Sequence, residues 1–182
     1  MFLLTVSSYI RSILAYVPSA HWVLIGVMAL TTSLLASKKF SVYGAIMLGA
    51  TVFASLLLLE TAVVIRYSGV FPHGSGFGMK AGFVRILYGD EYGRAEIMSN
   101  IAAFIPFGLL LSEFLASAKR FSAGRRLGLA TLAGFSLSLC IECLQLLLRV
   151  GIFELTDLVM NTMGAFVGAG VSVVISRVLL KQ

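Results

Sequence analysis

Three groups of polar side chains interrupt stretches that are otherwise apolar. In CIECLQLLLR, residues 140–149, Glu142, Gln145 and Arg149 fall at i, i+3 and i+7, on one face of a helix. In ELTDLVMNTMGAFVG, residues 154–168, Asp157, Asn161, Gly164 and Gly168 fall at i, i+4, i+7 and i+11. Glu96, Asn100, Ala103 and Phe107 repeat that spacing. Carboxylates and amides of this kind can hold a polar ligand, and Glu142 with Asp157 could serve as general base and acid. The bland alternative is hydrogen bonding between helices, for which buried asparagine and glutamine are well suited.

The segments carrying these groups must be membrane crossings. The chain has 182 residues, of which 59% are hydrophobic and 12% charged. Soluble domains carry about 25% charged residues. Mean hydropathy is +0.98. Runs near the ~20 residues needed to cross a bilayer occur at Ser41–Ile65, Ile97–Ala118, Leu127–Leu148 and Leu158–Leu180, with a shorter one at Ser19–Ala36. An all-α membrane protein follows, a bundle of about five transmembrane helices. Residues 1–17 are interrupted by Arg11 and read as an interfacial helix or an extension of the first span. Residues 18–96 hold two spans and a long glycine-rich loop, and 97–182 hold a three-helix core. Pro106 lies inside the third span, where a kink is expected near Asn100–Ala103.

The net charge of +6 does not point to nucleic acid, because the basic residues form short clusters between apolar runs. Lys38 and Lys39, then Lys119, Arg120, Arg125 and Arg126, then Arg177 and Lys181 fall on one side of a five-span topology. The positive-inside rule makes that side cytoplasmic. The N-terminus is then outside, the C-terminus cytoplasmic, and loops 66–96 and 149–157 are outside. Seven of the eight acids lie at or just below the outer surface; Glu113 is the exception. The inner halves of the spans look nearly uncharged.

Glu142 lies roughly 9 Å below the outer end of its helix. An ionisable group at that depth usually faces the bundle interior or a wet cavity, and it needs a hydrogen-bond donor. Asn100, Glu142, Gln145, Arg149, Asp157 and Asn161 are expected at a common depth, on three helices, around a cleft that opens outward. Glu60 is a candidate fourth contribution. Arg149 could hold an anionic head group, pair with Glu142 or Asp157, or simply anchor the helix at the interface. Asp157 and Thr156 suit a helix N-terminus, and Gly164 with Gly168 forms a GxxxG pattern for close helix approach. Cys140 and Cys143 read as small packing residues, His21 beside Trp22 as an interface pair, and His73 as a solvated loop residue. No HExxH, P-loop, GxSxG or zinc spacing occurs, so no cofactor or metal is expected.

The run N100-IAAF-IPFG108, then S138-LCIECLQ145, then R149-VGIFELTD157-LVMNTMGAFVG168 resembles the VanZ-like family of bacterial membrane proteins. The resemblance covers about residues 97–170. Glu154 stands where the family pattern has aspartate, which keeps the charge and lengthens the side chain, and it joins the candidate ligand-binding residues. The resemblance implies a role in the bacterial cell envelope, since the family's named member is associated with resistance to teicoplanin. The expected function is an outward-facing cleft that binds or processes an envelope lipid, glycolipid or lipoglycopeptide. A small transporter or proton-coupled carrier, and a non-catalytic partner of an envelope enzyme, are the alternatives.

Overall fold

A computed structural model describes residues 2–64, 76–78, 91–118 and 121–179. Helix α1 (Phe2–Ala15) is followed by α2 (Ser19–Ala36) and α3 (Val42–Leu59), which passes into a π-helical turn, Glu60–Val64. Strand β1 (Gly76–Gly78), α4 (Glu91–Ser117), α5 (Ala123–Leu147), β2 (Ile152–Glu154) and α6 (Leu155–Leu179) complete the described chain. Five of these helices, α3 counted together with its π turn, are long and apolar enough to cross a membrane. The protein is therefore a multi-pass membrane protein, with spans close to those expected. Most of the 66–96 loop, including His73 and Asp90, lies outside the described residues.

Local sequence explains where the helices start and stop. Pro18 precedes α2, where its fixed φ and missing N–H suit a helix start. Ser41 and Ser122 cap α3 and α5, their hydroxyls accepting from the amides of Gly44 and Arg125. α5 ends in a left-handed turn at Arg149, with φ 57°. Two bonds close that turn: Val150 N–H to the Gln145 carbonyl at 2.9 Å, and Arg149 N–H to the Leu146 carbonyl at 3.2 Å. α6 begins at Leu155, three residues before the span start read from sequence, so Asp157 sits within its first turn rather than before it.

The core is the packing of α4 on α6, with α5 against both. Glycine makes this possible. A Cβ on Gly164 would lie 2.2 Å from the Ile101 carbonyl oxygen, and one on Gly168 would lie 2.0 Å from that of Ile105. These contacts are with backbone, which cannot swing aside. The GxxxG pair thus seats α6 directly on the α4 main chain. On α5, a Cβ at Gly134 would meet the Ala165 methyl at 2.3 Å. Ala165 is fully buried, as nearly are Phe104 and Phe107, so the three helices touch tightly halfway along the bundle. α4 is continuous through Pro106.

At one point a short β pairing reinforces the helical frame. β1 and β2 pair in parallel, with Phe77 opposite Phe153. The pairing ties the segment before α4 to the connection between α5 and α6. Neither strand is apparent in the sequence pattern, because three residues are too few to display an alternation.

Candidate functional site

A cavity of about 510 Å³ lies between α1, α3, α4, α5 and α6. Its volume is in the range of small-molecule sites, roughly 300–1,000 Å³. At one end Glu96 and Asn100 from α4, Glu142 and Gln145 from α5, and Asp157 and Asn161 from α6 contribute to its lining. These residues, spread over the last three spans, meet because each polar stripe sits at the same end of its helix.

Hydrogen bonds hold three of these side chains in place. Glu142 is 2% exposed, and its Oε2 accepts from the backbone N–H of Glu154 at 2.8 Å. Asn161 is buried, and its Nδ2 donates to Ser138 Oγ at 2.9 Å. That bond crosses from α6 to α5, as interhelical hydrogen bonding would require, while Asn161 still borders the cavity. Gln145 Nε2 donates to the Ala62 carbonyl at 2.9 Å. The π turn disturbs the ordinary i to i+4 ladder, and the Gln145 amide satisfies one of its carbonyls. Both Thr61 and Ala62 of that turn line the cavity. Asn100 is half-buried, and among the described residues its side chain has no hydrogen-bond partner. Pro106 has no N–H to donate to the Ala102 carbonyl, and both residues also face the cavity.

Two candidates lie elsewhere. Arg149 is exposed and is not among the lining residues, because the left-handed turn ends α5 before the i+7 position can be reached. Glu154 is half-buried and outside the lining; it reaches the site through its backbone N–H. This accounts for the tolerance of a longer acid there, since any residue but proline offers the same amide. Glu60 is also outside the lining. It is 8% exposed and accepts from His21 Nδ1 at 2.7 Å, joining α2 to the π turn. Cys140 and Cys143 are exposed on α5, away from the cavity.

Sequence reasoning missed two features. The first is α1, whose Tyr9, Ile10, Ile13 and Leu14 form a wall of the cavity. The second is a polar cluster at the opposite end of the bundle, where the sequence reads as nearly uncharged spans. Arg126 is 7% exposed there, within the first turn of α5 rather than in the cytoplasmic loop between spans. Its Nη2 lies 2.8 Å from Ser172 Oγ, 3.2 Å from Ser176 Oγ and 3.4 Å from Ser112 Oγ. Ser172 donates to Glu113 Oε1 at 2.6 Å, and Tyr43 donates to Glu113 Oε2 at 2.5 Å. The available signal was the i, i+4 pair Ser172 and Ser176 facing a span with adjacent Ser112 and Glu113. Among the described residues, no group of His, Cys, Asp and Glu is arranged to hold a metal ion.

Comparison with known proteins agrees with this frame. The VanZ/LLP1 family model matches residues 3–176. Over 75 residues the chain is 33% identical to Protein VanZ of Enterococcus faecium. That match covers 40% of this chain and 41% of the relative's length. No solved structure matches. The family match begins in α1 and ends in α6, so it includes the helix that walls the cavity as well as the three that supply its polar end: this chain belongs to the VanZ/LLP1 family.

Proposed function

We propose that this membrane protein binds an amphiphilic component of the cell envelope, whose polar head enters the cavity at Glu142, Gln145, Asn100, Asn161 and Asp157. One observation carries the reading. One cavity has amides and carboxylates from three spans at one end and mostly apolar, uncharged side chains along the rest. Carboxylates and amide oxygens accept hydrogen bonds and amide nitrogens donate them, so a hydroxyl- or amide-bearing head suits that end. The charge distribution supports an outward-facing mouth, with the Lys38, Arg125 and Arg177 ends of the spans in the cytoplasm. The tight contact of Gly134, Ala165 and Phe107 across the middle of the bundle favours binding over passage, since a carrier needs a path between its two sides. In this reading Glu142 and Asp157 orient the head, and no reaction is required of them.

The same reading extends to glycopeptide susceptibility. A lipoglycopeptide is far too large for the cavity, but one polar edge and its attached chain are not. A sensitive host expressing this chain is expected to tolerate more teicoplanin, and to respond unchanged to a glycopeptide that lacks a lipid chain. Glu142→Gln and Asn161→Ala should abolish the gain at equal expression. Purified protein should bind a single-chain glycoside, and each of the same substitutions should weaken binding by up to ~10-fold, as expected for loss of one hydrogen bond to the head. Binding that is absent in the unmodified protein, or equally strong in both variants, contradicts the proposal.

A further inference from the structure

The cavity continues well beyond its polar end. On α3 its wall runs from Leu58 back to Ala50, about 12 Å of helix, and on α4 it runs from Asn100 to Leu110, about 15 Å. The third side is Ile10, Ile13 and Leu14 of α1. None of these side chains is charged. Ala50 and Ala54, one turn apart on α3, and Ala103 on α4 leave the width of the arm open. Ala103 is exposed although it lies within the lining, so its methyl faces open space.

α1 suits a covering role. Ile10, Ile13 and Leu14 face inward, while Ser7, Ser8, Arg11 and Ser12 are exposed on the opposite side. A short helix with one apolar and one polar face lies naturally at the level of lipid head groups. Here its apolar face is turned to α4 and the cavity rather than to the bilayer. A groove lined by uncharged side chains along its length and continuous with a polar end fits an occupant that is apolar along its length and polar at its tip.

We infer that the arm between α1, α3 and α4 is a slot for one hydrocarbon chain. It takes the chain of a single-chain amphiphile out of the bilayer and into the protein. This rests on the head-group reading above and adds to it, since a bound head could equally leave its chain among the lipids. The volume that remains beside a head group admits one chain, not the two of a phospholipid. Ala50 and Ala54 are the residues that set which chains fit.

The test uses the full chain in phospholipid nanodiscs and a dodecyl glycoside carrying a diazirine at the end of its chain. After photolysis, label is expected on Tyr9–Leu14 and Ala50–Leu58. Excess unlabelled dodecyl glycoside should compete it away, and ethyl glycoside should not. Ala54→Trp should lose this label; Ala50→Phe, a smaller change on the same face, guards against misfolding of the first variant. Label spread over the exposed Leu24, Ile46 and Val174, as a phospholipid diazirine would give, overturns the slot. So does label that persists in both variants. Weakened glycoside binding in Glu142→Gln alongside such a result keeps the head-group reading and removes only the slot. Slot labelling that survives Glu142→Gln does the reverse.

Discussion

The Glu142 carboxylate accepts a hydrogen bond from the backbone N–H of Glu154 at 2.8 Å, joining the interior of α5 to the strand that precedes α6. A buried carboxyl group is thereby fixed by a main-chain donor whose position does not depend on a flexible side chain. The bond also tethers the α5–α6 connection, so the same residue serves the fold and borders the cavity.

That double role separates two substitutions. Glu142→Gln keeps an oxygen acceptor for the Glu154 amide, whereas Glu142→Ala leaves it unsatisfied and opens a void. Glu142→Ala is expected to cost about 1–3 kcal/mol more than Glu142→Gln. Thermal unfolding in detergent should show the order wild type, then Gln, then Ala. Glycoside binding should be weakened in both.

Packing of α6 on α4 predicts a sharp contrast among glycines. Gly164→Leu would drive a side chain into the Ile101 carbonyl, a contact that only helix separation can relieve. Overpacking typically costs 1–3 kcal/mol, and more where backbone must move. This variant should fail to give monodisperse protein. Gly128→Ala is the control, because a Cβ there meets nothing within 4 Å. Size-exclusion profiles and unfolding temperature check both.

The Arg126 cluster should behave as a structural tie remote from the ligand. Arg126 and Glu142 are about 24 Å apart along α5. Arg126→Met removes the cation beside Glu113, which keeps its Ser172 and Tyr43 donors, so the cost should fall below the roughly 3–5 kcal/mol of a fully buried pair left without a partner. Adding Glu113→Gln should recover part of the loss. Where the single variant can be purified, its glycoside affinity should match wild type.

Arg149 gives a prediction of the opposite sign. Its φ of 57° suits glycine, so Arg149→Gly should be neutral or stabilising by up to about 1 kcal/mol. Because Arg149 is exposed and outside the cavity lining, glycoside binding should not change. A marked loss of affinity would show that the guanidinium contacts the ligand.

These cases show which parts of the molecule can be read directly from sequence. The stripes of Asn100, Glu142 with Gln145, and Asp157 with Asn161 are legible because helical spacing puts each set on one face, and the need for partners turns that face inward. Gly164 and Gly168 are legible for the same reason. Arg149 is not, because extrapolating to i+7 assumes a helix that ends sooner. Glu154 contributes a backbone group, which no side-chain pattern reports. The π turn at Glu60–Val64 accompanies a tertiary contact, Gln145 to the Ala62 carbonyl, so an apolar run gives no sign of it. Arg126 reads from sequence as one of four cytoplasmic basic residues between two spans, since clusters of basic residues look alike whether a side chain points to water or folds back onto serines. The cover supplied by α1 depends on a contact with a helix some ninety positions away, and periodicity carries no information about that.

Thr61, in the π turn beside the polar end of the cavity, offers the most direct measurement of whether that end is an externally accessible ligand site. With Cys140 and Cys143 replaced by alanine, Thr61→Cys would be treated in intact cells with a membrane-impermeant maleimide. The account predicts modification from the outside, slowed by dodecyl glycoside and not by ethyl glycoside. A thiol that reacts only after the membrane is permeabilised, or at a rate indifferent to the amphiphile, would contradict it.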